Sequence, residues 1–183
     1  MRGQIALVGV LVIACSMLVQ AQAAPSAKPG PEHASLAALV GSWSMTGEVK
    51  PGNGYGVAAG KVTQIERYQW LPGGFFLQMN RDGKGPWGDV RHIWIFGYDS
   101  TAKKYTGQFF ELTTGVTASG TATMTGNSWK WLNSGHTADG KPFQERCTVS
   151  LVPNISYTVT CETSPDGKVW SPSYEAKATR SQT

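Results

Sequence analysis

Charge is scarce in this chain. Of 183 residues only 15 % are Asp, Glu, Lys or Arg, with Lys+Arg 16 against Asp+Glu 12. Charge this low beside an aromatic content of 10 % excludes a long disordered tail and a coiled coil. The basic residues are scattered and the net charge is only +4, so no stretch has the density of a nucleic-acid face or an anionic-membrane patch. Histidine is rare too: His33, His92 and His136 stand apart, with no H-x-H, H-E-x-x-H or C-x-x-C spacing, so no metal site is expected. G-x-S-x-G, G-x-x-x-x-G-K-[ST] and G-x-G-x-x-G before a helix are all missing. That removes the nucleophile elbow and the common phosphate-binding loops. From Gly41 onward no segment sustains a 3.6-residue apolar period, which excludes a helical fold.

Cysteine numbers three, and each has a place. Met1-Arg2-Gly3-Gln4 carries one positive charge, Ile5 to Val19 is almost wholly apolar, and Ala21-Gln22-Ala23 offers a signal-peptidase site. Residues 1–23 therefore read as a cleaved signal peptide, because the apolar run falls short of the ~20 residues a spanning helix needs. The expected location is secreted or periplasmic, with no transmembrane segment in the mature chain. Cys15 loosely fits a lipoprotein box, but the apolar run continues past it, so a lipid anchor is the lesser reading. Cys147 and Cys161 remain, an even count suited to one disulfide in an oxidising compartment. Folding 147–161 about Asn154 sets Cys147 opposite Cys161, Val149 opposite Val159 and Leu151 opposite Tyr157. Asn154-Ile155-Ser156 also fits a glycosylation sequon, which matters only in a eukaryotic host.

Residues 24–35, with three prolines, read as a flexible linker, and Ser35–Val40 as a possible helical turn. The rest, 36–183, is one domain. Short runs rich in Val, Ile, Thr, Tyr, Phe and Trp alternate with turn dipeptides such as Pro72-Gly73, Asp82-Gly83, Gly126-Asn127 and Pro153-Asn154. About ten strands result: 41–49, 60–70, 75–81, 89–98, 104–112, 116–125, 128–134, 141–151, 156–163 and 170–179. The fold class is all-β: an antiparallel up-and-down barrel, since closure removes exposed edges, with an open sandwich as the rival. A barrel of this strand number tends to enclose a cavity.

Gly41-Ser42-Trp43 opens the first strand and Tyr174 to Arg180 closes the last, so Trp43 can lie under the Arg180 guanidinium. This pairing resembles the calycin group, lipocalins and fatty-acid-binding proteins among them. Leu39 to Gly47, Leu71-Pro72-Gly73-Gly74-Phe75-Phe76-Leu77, Gly97-Tyr98-Asp99 and Tyr174…Arg180 are similar to an uncharacterised family of exported bacterial proteins, a domain of unknown function. The resemblance implies a calycin-like barrel and brings no activity with it. A glycine-tryptophan opening is also shared with nitrobindin-type haem barrels. Those hold iron through a histidine near the chain's end, and here none follows His136, so no cofactor is expected.

Hairpin pairing predicts one aromatic face: Tyr98 with Tyr105, Phe96 with Gly107, Trp94 with Phe109, His92 with Glu111, then Met124 with Trp129 and Ala122 with Trp131. Glu66, Tyr68 and Trp70 fall alongside Phe75, Leu77, Met79 and Arg81. Turned inward, these make a mostly apolar pocket wall with a few polar groups. The candidate binding residues are Glu66, Tyr68, Met79, Arg81, His92, Trp94, Tyr98, Phe109, Glu111, Trp129 and Trp131. The leading expectation is a non-catalytic barrel that binds a small apolar or amphiphilic molecule, with Arg81, His92 and Glu111 orienting its polar end. Two others stand beside it: an envelope interaction module with a filled barrel, and an enzyme using His92 with Glu111. Ile93 and Ile95 are apolar on the opposite face of the same strand, which leaves open the inward face there and a homodimer built on the outer one.

Overall fold

The computed structural model describes residues 28–181. Ten strands form one closed antiparallel barrel in sequence order: β1 (Gly41–Val49), β2 (Gly60–Trp70), β3 (Leu77–Gly85), β4 (Gly88–Asp99), β5 (Lys104–Glu111), β6 (Thr117–Thr125), β7 (Ser128–His136), β8 (Pro142–Val152), β9 (Ser156–Ser164) and β10 (Ser171–Arg180). β1 pairs with both β2 and β10, so no edge is left among the described strands. Alternation drives the burial. In β2, Val62, Gln64, Glu66 and Tyr68 are buried while Lys61, Thr63, Ile65, Arg67 and Gln69 face solvent.

A short helix, α1 (Pro31–Ala37), precedes the barrel. It starts earlier than the Ser35–Val40 turn expected from sequence. Pro31 stands at its N-terminus, where a missing N–H is harmless, and His33 accepts from the Gly30 N–H through Nδ1 at 3.1 Å. The expected linker thus gives way to structure at Pro31, and His33 is buried against Phe75 and Tyr98. Leu36 and Leu39 are buried and plug one end of the barrel. That end is also where the closing contact lies. The Arg180 guanidinium sits 4.4 Å from the Trp43 ring centroid, and it donates to the carbonyls of Val40 (2.6 Å) and Ala38 (3.0 Å). Trp43 Nε1 donates to Leu39 at 2.7 Å.

One turn differs from the sequence reading. Asp82-Gly83 does not reverse the chain; β3 runs on to Gly85 and the reversal falls at Pro86-Trp87. Gly83 is there for space. It lies opposite Gln64, and a side chain on it would strike the Thr63 carbonyl and the Gln64 side chain. Elsewhere the β4–β5 register pairs His92 with Glu111 and Trp94 with Phe109, and β8–β9 pairs Cys147 with Cys161, which form a disulfide. The signal pattern at 1–23 and Cys15 lie outside the described residues.

Candidate functional site

The barrel is hollow. Its lumen holds a cavity of about 370 Å³. Parity decides the lining: His92, Trp94 and Phe96 on β4 face inward, so Ile93 and Ile95 lie on the outer surface, half-buried. The aromatic wall is continuous. Trp94 stacks on Phe96 with ring planes 2° apart and centroids 5.5 Å apart; Phe109 lies 5.0 Å from Trp94 and Trp131 5.4 Å from Phe96. Gly107 permits this, because a Cβ there would crowd both the Trp94 and Trp131 rings. Met79 and Trp129 line the same side.

A polar strip faces that wall, built by β2, β3, β8 and β10. Glu66 is fully buried. Its Oε1 accepts from Arg81 Nε at 2.7 Å and lies 2.5 Å from Arg81 Nη2 in the ion pair, and its Oε2 accepts from Tyr157 Oη and, at 3.2 Å, Tyr68 Oη. Burial alone would weaken the Arg81 charge, but Glu66 beside it outweighs that and holds the guanidinium firmly protonated. Burial, then the Glu66 carboxylate, pushes the Tyr68 phenol well above its ordinary value. Tyr174 donates toward Gln64 Oε1 at 3.3 Å, and burial carries its pKa to about 12. Further along, Glu145 accepts from Tyr55 Oη at 2.5 Å and Asn133 Nδ2 at 2.9 Å. Tyr55 comes from the loop between β1 and β2 and reaches across to Ser173 as well, at 3.1 Å.

Of the residues expected from sequence, Tyr68, Met79, Arg81, His92, Trp94, Phe109, Glu111, Trp129 and Trp131 line the cavity. Glu66 is enclosed behind Tyr68 and Tyr157, and Tyr98 packs on His33 and Tyr105 beneath α1, so neither reaches the wall. His92 and Glu111 are register partners, yet the Glu111 carboxylate is committed to Thr113 and Thr114. Burial pushes that carboxyl up, but these hydrogen bonds prevail and hold it at about 2. Burial, then the Arg81 charge, lowers His92 to about 3, and its Nδ1 is buried without a partner. An imidazole this weakly basic, beside a carboxylate turned to a loop, is poor material for a general base with an orienting carboxylate. The hydrogen-bonding residues of the lining that were not among the sequence candidates include Tyr55, Gln64, Asn133, Glu145 and Tyr174. Glu145 is two residues from Cys147 on the same strand, so alternation placed it inward; Tyr55, in a loop, gave no periodic signal.

Among the described residues one group could gather a metal ion: Glu145, Cys147 and Cys161, whose donor atoms lie within 4.8 Å of one another. With both sulfurs in a disulfide, no thiolate is present to ligate.

No curated protein matches the chain. Among solved structures, it is similar to Rv2717c from M. tuberculosis, at 14 % identity and a TM-score of 0.59, over 84 % of this chain and 99 % of that one. At that identity the likeness is one of fold. It is also similar to EF1p2_mFAP2b bound to DFHBI, at 9 % identity and TM-score 0.41, over 81 % of this chain and 98 % of that one. A third is the S-type phycobiliprotein lyase CPES from Guillardia theta, at 10 % identity and TM-score 0.49, over 85 % and 94 %. A family model described as a protein of unknown function, DUF1579, matches residues 28–180, which span α1 and all ten strands; the chain belongs to that family.

Proposed function

We propose that this barrel holds a small, partly apolar molecule in its lumen and does not change it chemically. The observation that carries the reading is the cavity itself: about 370 Å³, with Trp94, Phe96, Phe109, Trp131 and Met79 on one side and hydrogen-bonding groups on the other. That size and make-up are those of small-molecule pockets, which run to a few hundred Å³ (roughly 300–1,000). Titration with the neutral fluorophore N-phenyl-1-naphthylamine tests it. Saturable binding with quenching of tryptophan emission is expected, and the absence of saturation with this and other apolar probes overturns the reading.

The reading includes export. The pattern at 1–23 is that of a secretory signal, and a Cys147–Cys161 disulfide suits an oxidising compartment. The intact mass of protein purified from its own host should lack the first 23 residues; a full-length mass contradicts export by this route.

A second reading has its own observation. Ile93, Ile95 and Phe110 share the outer face of β4 and β5, with Leu112 exposed beside them, an apolar patch that fits a homodimer or an envelope partner. Sizing by light scattering distinguishes it. A dimer that Ile93→Glu converts to monomer supports the outer face, and a monomeric wild type removes the homodimer.

A further inference from the structure

We infer that the lumen selects a molecule carrying a protonated amine, seated on Glu145 with its apolar body against the aromatic wall. This rests on the reading that the lumen holds a small molecule, and it names that molecule's charge.

Arg81 is the one guanidinium in the lining, and it already forms a two-point ion pair with Glu66. His92 is neutral, for the reasons given above. Glu111 faces Thr113 and Thr114, and Asp89 lies 3.8 Å from Lys84 with both side chains mostly in solvent. His136 is exposed at the rim. Glu145 remains. It lines the lumen, is half-buried, and no ion pair joins it to a cation among the described residues. Charges withdrawn from water are ordinarily paired, so this one lacks a partner that a ligand can supply.

The geometry around Glu145 suits a cation. Tyr55 and Asn133 each donate one hydrogen bond to it, which fixes the carboxylate and leaves about half of its lone-pair sites open. Burial, and then Glu145 itself, holds the Tyr55 phenol well above its ordinary pKa, so it stays a donor. The neighbouring groups are Tyr55 and Phe143 rings, 6.3 Å apart and edge-on, and the Cys147–Cys161 sulfurs. Ring faces attract ammonium groups, and none of these neighbours repels one. An anionic ligand would instead meet Glu145 with no cation left to balance it.

Calorimetric titration of the intact protein with three probes of one shape tests this: 2-naphthylmethylamine, 2-naphthylmethanol and 2-naphthoic acid at pH 7. The amine should bind at least tenfold more tightly than the alcohol, and the acid most weakly. Glu145→Gln should cost the amine about tenfold and leave the alcohol within twofold. Equal affinities of amine and alcohol for the wild type overturn the inference without recourse to any variant, as does an amine affinity unchanged in Glu145→Gln. If the alcohol binds and the amine does not discriminate, only the charge assignment falls. If none of the three binds, the lumen reading itself falls and takes this inference with it.

Discussion

Replacing Glu66 by Gln should be among the most damaging isosteric changes available to this barrel. The carboxylate is fully enclosed and is the shared acceptor for Arg81, Tyr68 and Tyr157. Glutamine keeps the volume but removes the charge and turns an NH₂ toward one pair of donors. Arg81 would then sit as a buried guanidinium without a counter-ion. Removing one partner of a buried pair typically costs about 3–5 kcal/mol. The Arg81 side chain is 17 % exposed, toward the lumen, so water there can solvate part of the orphaned charge. That points to the lower end, about 3 kcal/mol, or a Tm lower by roughly 6–12 °C for a domain of this size. The pair as a pair is a different matter. Glu66→Gln with Arg81→Met removes both charges, and buried pairs are often replaceable at little net cost, so the double variant should lose only about 1–2 kcal/mol. Urea unfolding of Glu66→Gln, Arg81→Met and the double variant, followed by tryptophan fluorescence with the disulfide intact, gives the three values. A single-variant cost below about 1 kcal/mol, or a double variant equal to the sum of the singles, would refute the reasoning, since contacting residues must couple if the ion pair matters.

Other outcomes follow from the same contacts. Cys147→Ala with Cys161→Ala opens a loop of sequence separation 14 and should cost about 3 kcal/mol in urea unfolding; a loss under 1 kcal/mol contradicts a stapling role. His92 is held neutral down to about 3 while its ordinary value is 6.5, so between those values the unfolded chain takes up a proton that the folded one refuses. Stability should fall as pH drops through that window, by up to about 1.4 kcal/mol per pH unit from this group. The curve of His92→Phe should run flatter there, and parallel curves for variant and wild type count against the assignment. Arg180→Lys should destabilise by about 1–3 kcal/mol, because an ammonium cannot stack flat on Trp43 while bonding two carbonyls; an unchanged midpoint would show the closing contact to be idle.

Local rules made much of the architecture legible. Val149, Leu151 and the cysteines fold about Asn154 in the register that side-chain parity demands, and Asn154 takes the left-handed φ of 62° that the reversal needs. The aromatic pairing of β4 with β5 followed from counting residues across Asp99 to Lys104. Turn dipeptides were weaker guides. Asp82-Gly83 carries the composition of a turn, but its glycine serves a close approach to β2, and only the neighbouring strand reveals that. The linker reading failed at Pro31 for a similar reason: proline breaks helices in their middle and starts them at their first residue. The site was half legible. Alternation supplied the apolar wall, whereas its polar side depends on which hydrogen-bonding groups are already matched. Strand register offers Glu111 to the lumen, yet Thr113 and Thr114 hold its carboxylate, and Arg81 is already paired with Glu66. Sequence order carries no account of such partnerships.

Filling the lumen is the sharpest check on a bound guest. Val159 lines the cavity on β9. Val159→Trp places an indole in that space. Equilibrium binding of N-phenyl-1-naphthylamine should be saturable with one molecule per wild-type chain, and should disappear in the variant while its unfolding curve remains cooperative. Undiminished binding to the folded, filled variant would place the probe on the outer surface and contradict the account.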